Sequence, residues 1–234
     1  MKKILITPRS FAKHSDDPLH LLEASGFTPV RNPFGQILTR EQMIEYIRDC
    51  EGVIIGIDPL DKEVLAAAGK LRAIAKYGVG TDNIDLDYAR ERGIPVSITA
   101  GANSDAVADF VFAMILTLAR DLIVIDRNCR AGNWKKRTGL DVFGKTMGIV
   151  GLGAIGKKVA QRAIGFSMNL YACDQHWDED FAQRNGIKRA TVHEICRECD
   201  FISLHLPLTA QTRHLIGSEE LAMMKNNAIL INTA

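Results

Sequence analysis

The segment that most constrains the fold of this chain is Gly151-Leu152-Gly153-Ala154-Ile155-Gly156. It follows an apolar run at residues 147–150 and opens a segment, residues 155–164, whose apolar side chains recur at helical spacing. A further apolar run, residues 169–173, ends at Asp174. The pattern predicts a strand, a tight turn, a helix and a second strand parallel to the first, because a helical crossover joins parallel strands.

Each of the three glycines suits such a turn. Gly151 permits the bend, Gly153 lets a ligand approach the backbone because it lacks Cβ, and Gly156 lets the helix pack closely on its strand. The helix N-terminus presents free N–H groups and the positive end of its dipole, and both attract phosphate. The spacing is that of dinucleotide-binding turns. We therefore predict that a pyrophosphate contacts Gly151, Gly153, Ala154, Ile155 and Gly156.

Asp174 refines the predicted ligand. A carboxylate at the end of the second strand accepts hydrogen bonds from a ribose 2′-hydroxyl and repels a 2′-phosphate, which favours NAD over NADP. Two other interpretations stay open at this point. The glycine turn binds no ligand, or it binds a different nucleotide.

Strand and helix patterns alternate along the rest of the chain, which predicts an α/β fold. Before residue 102 the apolar runs predict strands at 3–7, 28–30, 53–57, 73–77 and 94–98, with helices between them. Residues 103–118 predict a helix whose apolar face holds Val107, Phe110, Val111, Met114, Ile115 and Leu118. A second alternation starts near Gly144 and ends with a strand at 228–232. We predict two domains, 1–102 and 103–234, the second incomplete at its C-terminus.

Composition excludes several classes of function. The formal net charge of +1 gives no electrostatic footprint for nucleic acid or an anionic membrane. The apolar run before Pro8 is too short for a signal peptide. Five cysteines, an odd number, indicate reduced thiols and a cytoplasmic protein. Cys196 and Cys199, with His193 nearby, are expected on an unliganded helix, so no metal site is predicted.

Several motifs follow one another in a characteristic order. They are Tyr77–Asp85, Asn103–Asp109, Gly151–Gly156 with Asp174, Leu204–Thr209 and Asn232–Ala234. In this order they resemble the D-isomer-specific 2-hydroxyacid dehydrogenase family, of which phosphoglycerate dehydrogenase is the best-known member. The resemblance covers essentially the whole chain. It implies a flavodoxin-like substrate domain and an NAD-binding Rossmann domain, with the active site in the cleft between them.

The resemblance also implies site residues. The substrate carboxylate is expected at the backbone of Gly78, Val79 and Gly80, with Lys76 and Asn103 close by. A solvated strand-end lysine and a simple helix cap are the alternatives for these last two residues. The further positions that the resemblance places at the cofactor are Val107, His205, Pro207, Thr212, Thr233 and Ala234.

In this family an arginine, a glutamate and a histidine perform the chemistry, and the arginine follows the Asn-Thr-Ala segment. That segment, Asn232–Ala234, ends the chain here. We therefore assign no catalytic residue and expect a C-terminally truncated form of a longer enzyme. The alternatives are an inactive nucleotide-binding remnant that ends here naturally and an NAD-sensing module of the corepressor type.

The resemblance implies a reaction and an assembly. The expected reaction is the NAD-dependent interconversion of a small D-2-hydroxy acid and its 2-keto acid, of the phosphoglycerate or hydroxypyruvate/glyoxylate type. A related enzyme acting on formate or phosphite is a further alternative. The polar segment Arg120–Val142, which carries Trp134, is expected to be a surface excursion that contributes to a homodimer.

Overall fold

Strands and helices alternate through both parts of the chain, as their apolar periodicities predict. The computed structural model describes residues 2–234. These residues form two units, the first reaching to Ala102 and the second comprising Asn103–Ala234. The elements of the first unit are β1 (Lys2–Ile6), α1 (Asp17–Ala24), β2 (Phe27–Arg31), α2 (Arg40–Ile47), β3 (Cys50–Ile55), α3 (Lys62–Ala67), β4 (Ala73–Lys76), α4 (Leu86–Glu91) and β5 (Val96–Ile98).

The first unit is a parallel sheet with strand order β2-β1-β3-β4-β5. This order is that of flavodoxin-like folds, so the predicted fold class is confirmed for this unit. Thr39 caps α2 with a reciprocal capping box, in which its hydroxyl accepts from the Gln42 N–H and its own N–H donates to the Gln42 side chain. Apolar residues such as Leu5 and Ile74 fill the core between sheet and helices.

The prediction of a buried strand as far as Ile57 was wrong at its end. Strand β3 stops at Ile55, which is fully buried, whereas the Ile57 residue is 66% exposed. The chain leaves the sheet after Ile55, because the Gly56 N–H donates to the Thr7 hydroxyl and Asp58 accepts hydrogen bonds from Thr7 and Leu38. Ile57 consequently lies on the surface at the carboxyl end of the sheet.

The second unit contains a second parallel sheet. Its elements are α5 (Ser104–Ala119), α6 (Leu122–Arg130), β6 (Thr146–Val150), α7 (Ala154–Gly165), β7 (Asn169–Cys173), α8 (Glu179–Arg184), β8 (Ile187–Arg189), α9 (Val192–Glu198), β9 (Phe201–Leu204), α10 (Ser218–Met223) and β10 (Ile229–Asn232). The strand order is β10-β9-β6-β7-β8. Read from β8, this matches the first five strands of the dinucleotide-binding order, which confirms the predicted Rossmann topology.

Helix α5 buries part of the face that its periodicity predicted, because Val111 and Ile115 are fully buried as expected. Phe110 and Leu118 are 60% and 54% exposed, whereas Ala108, Phe112 and Ala119 are buried. The buried face is turned because α5 packs against α7 and because Phe112 stacks on Phe166, with ring centroids 5.3 Å apart. The structure also places a helix, α6, at the start of the predicted polar excursion.

No helix within residues 2–234 combines the length and the apolar character needed to cross a bilayer. Helix α9, which carries Cys196, is short and buries that cysteine completely. The prediction of a short helix at this C-x-x-C segment is confirmed. All five cysteines are free.

Candidate functional site

The turn after β6 admits only glycine at two of its positions. Gly151 has a φ of +99°, and a Cβ there would lie 2.6 Å from the His205 carbonyl oxygen. A Cβ at Gly156 would lie 2.0 Å from the Gly151 carbonyl oxygen, so only a glycine at this position lets α7 lie this close to the turn. At Gly153 an added Cβ would meet no atom within 4 Å. The surface beside Gly153 is therefore open to a ligand.

The N-terminus of α7 offers hydrogen-bond donors that the protein does not use. Gly153 is the N-cap and provides no side-chain acceptor, and the first turn contains no acidic residue. Within residues 2–234 the structure describes no acceptor for the N–H groups of Ala154, Ile155 and Gly156. Unpaired amides and the positive end of the helix dipole together form a site suited to phosphate.

Asp174 stands at the end of β7, beside the glycine turn. Its Oδ2 accepts a hydrogen bond from the Leu152 N–H at 2.6 Å, and its Oδ1 accepts from the His176 N–H at 2.7 Å. A carboxylate has about four acceptor positions, so two remain for ribose hydroxyls. The two backbone bonds fix the orientation of the carboxylate.

Two buried polar atoms at the carboxyl edge of the second sheet have no partner in the described residues 2–234. They are His205 Nδ1, which follows β9, and Thr233 Oγ1, which follows β10. The other ring nitrogen of His205, Nε2, lies 2.8 Å from the Ser203 hydroxyl. Ligands of open α/β sheets bind at this edge, next to the point where strand order reverses, here between β6 and β9. The unpaired atoms His205 Nδ1 and Thr233 Oγ1 can therefore form hydrogen bonds with a dinucleotide that binds at this edge.

Burial lowers the pKa of His205 to about 4 from its ordinary value of 6.5. The unfolded chain takes up this proton near pH 6.5, whereas the folded protein takes it up only near pH 4, so stability falls as the pH falls between these values. We expect this histidine to cost about 3 kcal/mol of the free energy of unfolding across that interval. Urea titrations should show a steeper loss in the parent than in His205→Gln.

The exposed residue His20 provides the matched control for this measurement. Its replacement, His20→Gln, should leave the pH dependence of the parent intact. A His205→Gln variant that loses stability as steeply as the parent between pH 6.5 and pH 4 would contradict the assigned burial effect.

Three of the predicted cofactor residues line one cavity. Pro207, Thr212 and Ala234 border a cavity of about 500 Å³ in the second unit. The Thr212 hydroxyl donates to the Pro207 carbonyl oxygen at 2.5 Å and accepts from the Thr209 N–H at 2.8 Å, which folds the loop after β9 onto itself. Val107 lies half-buried on α5. The assignment of these residues to a cofactor remains a prediction.

In the first unit the Gly78-Val79-Gly80 loop follows β4. Gly78 has a φ of +140°, and its N–H donates to the Thr99 hydroxyl at 2.9 Å. Within residues 2–234 no acceptor is described for the N–H groups of Val79 and Gly80, and both residues are exposed. Two adjacent free amides can bind a carboxylate, as the predicted role of this loop requires.

Lys76 is not a solvated lysine. It is 5% exposed, and its Nζ donates to the Gly56 carbonyl oxygen at 2.6 Å and to Asn83 Oδ1 at 2.7 Å. Burial lowers its pKa, although Asp82 and Asp58 oppose that effect. The ammonium group has three donors, so one remains for a ligand. Its predicted contact with substrate stays a prediction. Asn103 is the exposed N-cap of α5, and its side chain makes no capping bond.

Sequence reasoning missed a buried polar pair at the carboxyl edge of the first sheet. Asp58 is 3% exposed and Thr7 is 1% exposed. The Thr7 hydroxyl donates to Asp58 Oδ2 and accepts from the Gly56 N–H at 3.0 Å, while Asp58 Oδ1 accepts from the Leu38 N–H at 2.8 Å. The pair joins the ends of β1 and β3 to the loop before α2. Thr7 directly follows the first strand, which is the one signal the sequence offers.

Comparison with known proteins places the second unit in a family. Residues 112–234 match the model described as "D-isomer specific 2-hydroxyacid dehydrogenase, NAD binding domain". The chain is similar to the glyoxylate reductase of Korarchaeum cryptofilum, with 43% identity over 203 residues that cover 84% of this chain and 61% of that protein. It is also similar to the D-3-phosphoglycerate dehydrogenase of Methanocaldococcus jannaschii, with 37% identity over 243 residues that cover 100% and 44%.

A solved structure supports the same assignment. The D-lactate dehydrogenase from Aquifex aeolicus, complexed with NAD and lactic acid, aligns with a TM-score of 0.82 and 29% identity over 99% of this chain and 68% of that chain. The chain thus spans 61% and 44% of the length of the two curated relatives. The predicted family and the predicted cofactor, NAD, are confirmed by these matches.

Proposed function

This chain belongs to the D-isomer-specific 2-hydroxyacid dehydrogenase family, and from this premise we propose that the protein is an NAD-dependent oxidoreductase. It interconverts a small D-2-hydroxy acid and its 2-keto acid, of the phosphoglycerate or hydroxypyruvate/glyoxylate type. The observation that carries the proposal is the glycine turn with its unpaired amides and the oriented Asp174 carboxylate, inside the matched NAD-binding domain.

Each unit has a separate task in the proposed reaction. The turn at Gly151–Gly156 and the first turn of α7 hold the pyrophosphate, and Asp174 binds the adenosine ribose. The free amides of Val79 and Gly80 hold the substrate carboxylate, and Lys76, which bonds to the Gly56 carbonyl oxygen and to Asn83, has one donor left for it. Bound NAD accepts or donates the hydride. Positioning both molecules supplies much of the rate enhancement in such a reaction.

The proton donor is not assigned to His205. With a pKa of about 4 this imidazole is neutral near pH 7, so it holds no readily released proton for a developing alkoxide. Its burial and its contact with Ser203 instead suit a role at the cofactor. We assign no catalytic acid or base within residues 2–234.

The test is a panel of 2-keto acids with NADH, run on the full-length protein and monitored by the loss of NADH absorbance. Glyoxylate, hydroxypyruvate, 3-phosphohydroxypyruvate and pyruvate form the panel, and at least one should be reduced to the D-hydroxy acid. Tight NADH binding without turnover of any 2-keto acid would contradict the enzyme proposal and favour an NAD-sensing module.

We also propose that the protein is a homodimer through the face formed by α5, α6 and the segment after α6. Large apolar side chains are exposed there: Phe110 is 60%, Ile123 61%, Trp134 83% and Phe143 71% exposed. Large apolar side chains exposed in such number favour an interaction site. Sedimentation velocity should give twice the monomer mass for the parent and the monomer mass for Ile123→Lys with Trp134→Lys. A monomeric parent would contradict this proposal.

For cellular location we propose the cytoplasm. All five cysteines are free, and burial raises the pKa of Cys173 to about 11 and that of Cys199 to about 12, so these thiols stay protonated. Reduced thiols persist in the cytosol. Thiol titration of freshly lysed cells should find all five in the reduced state; a disulfide in that sample would contradict this location.

A further inference from the structure

A cavity of about 550 Å³ opens at the carboxyl edge of the first sheet. Its lining includes the residues that directly follow β1, β3 and β4, namely Thr7, Gly56 and Tyr77. We propose that this cavity receives the distal anionic group of the substrate, a carboxylate or a phosphate, and that Arg9 and Lys13 bind it. This inference rests on the proposed function and specifies the substrate as a 2-keto acid that carries a second anionic group.

The two cations of the cavity are not neutralised by the protein. Within residues 2–234 the structure describes no ion pair and no side-chain hydrogen bond for Arg9 or Lys13, although many other cations of this unit are paired, as Lys70 is with Asp49 at 2.7 Å. The carboxylate that lines the cavity, Asp58, is buried, and both of its oxygens accept hydrogen bonds from the protein. Two positive charges therefore face the cavity without an anionic partner.

The loop that carries the cations is held in a defined shape. The Phe11 N–H donates to the Pro8 carbonyl oxygen and the Lys13 N–H to the Ser10 carbonyl oxygen, both at 3.2 Å. Between them Ala12 adopts a φ of +55°, a conformation that residues other than glycine rarely adopt. The surrounding structure maintains this strained backbone, which sets the direction in which the loop continues to Lys13.

An aromatic contact ties this loop to the proposed carboxylate loop. The ring of Phe11 packs edge-on against the ring of Tyr77, with centroids 6.0 Å apart and planes at 69°. Tyr77 lines the cavity and directly precedes Gly78, whose neighbours Val79 and Gly80 have free amides. A substrate whose carboxylate binds those amides thus has its other end beside the cavity.

The remaining lining suits the middle of such a molecule. Ile37 and Ile57 are 47% and 66% exposed, and both border the cavity. Exposed apolar side chains there can cover a short carbon chain, while the planar guanidinium of Arg9 matches the paired oxygens of a carboxylate or phosphate. A 2-keto acid with a neutral tail would leave both cations unpaired.

Binding is tested first, by the amide resonances of Gly56 and Tyr77 in 15N-labelled protein. The anionic probes are 2-oxoglutarate and 3-phosphohydroxypyruvate, and their neutral-tailed counterparts are 2-oxobutyrate and hydroxypyruvate. At least one anionic probe should shift these resonances at a concentration about tenfold lower than its counterpart, since an ionic hydrogen bond contributes about 1.5 kcal/mol or more. The anionic probe that exceeds its neutral counterpart by the larger factor shows whether the cavity prefers a carboxylate or a phosphate.

Variants of Arg9 and Lys13 show whether these residues cause the preference for the anionic probe. Arg9→Met with Lys13→Met should abolish the preference for the anionic probe, and Arg9→Lys should retain part of it. Lys2→Met is the matched control, because Lys2 is exposed at the opposite end of β1 and its loss changes the net charge in the same sense. Equal binding of anionic and neutral probes by the parent, or an equal loss in Lys2→Met, would overturn the cavity assignment.

Turnover separates this inference from the proposed function. In the full-length parent, kcat/KM with NADH should be at least about tenfold higher for the preferred anionic acid than for its neutral counterpart, and the double variant should lose that ratio. Turnover without any preference overturns the cavity assignment alone. A binding preference without turnover of any 2-keto acid overturns the proposed function and leaves the anion site standing.

Discussion

Gly156→Ala should lower the free energy of unfolding by about 3 kcal/mol and abolish detectable NADH binding. The added Cβ would lie 2.0 Å from the carbonyl oxygen of Gly151 and 3.0 Å from its carbonyl carbon, and both are backbone atoms that cannot rotate away. Either α7 must move off the sheet or the turn must open. Each response displaces the unpaired amides that hold the pyrophosphate. Urea denaturation and calorimetric titration with NADH measure the two effects.

The same helix supplies the control. Gly165 is the last residue of α7, and a Cβ there would meet no atom within 4 Å. Gly165→Ala should therefore stabilise the protein by about 0.5 kcal/mol and leave NADH binding unchanged. If Gly156→Ala unfolds at the same urea concentration as Gly165→Ala, the packing of α7 against the turn does not require glycine at position 156.

Asp58→Ala should destabilise the first unit by about 3 kcal/mol, because it removes the carboxylate that accepts hydrogen bonds from two buried residues. The hydroxyl of Thr7 and the N–H of Leu38 would both lose their acceptor, and both residues are buried. The loop before α2 would then lose its bond to the sheet. Urea denaturation measures the loss, and Asp58→Asn, which keeps one carbonyl oxygen as acceptor, should recover part of it.

Asp87→Ala provides the comparison at the surface of the same unit. The Asp87 side chain is 86% exposed and pairs with Arg90 across one turn of α4. Its removal should change the free energy of unfolding by no more than about 0.5 kcal/mol. Equal losses in Asp58→Ala and Asp87→Ala would contradict the assignment of the Thr7–Asp58 pair as a buried structural contact.

Much of the fold follows from local pattern. Strands of continuous apolar residues alternate with helices whose ends carry recognisable signals, such as the Thr39 capping box and the acid at position 85 that caps α4. Parallel strands joined by helices leave few possible topologies. The glycine turn was also predictable, because the spacing of its glycines and the distance to Asp174 are both written along a single βαβ unit.

The features that the sequence did not reveal depend on contacts between distant residues. Asp58 and Thr7 are separated by 51 positions, and neither stands in a pattern that marks it as buried. The buried face of α5 was predicted only in part, because small residues such as Ala108 carry little weight in an apolar periodicity, although they allow close helix packing. Arg9 and Lys13 look like ordinary surface cations until the cavity beside them and the lack of partners are known.

We propose that the second unit binds NAD through its glycine turn and selects it over NADP through Asp174. Calorimetric titration of the protein with NADH and with NADPH tests it most directly. NADH should bind at least about tenfold more tightly, because a 2′-phosphate would meet the Asp174 carboxylate, and Asp174→Ala should reduce this preference to about threefold or less. Equal affinity of the unmodified protein for NADH and NADPH, or no binding of either, would contradict the claim.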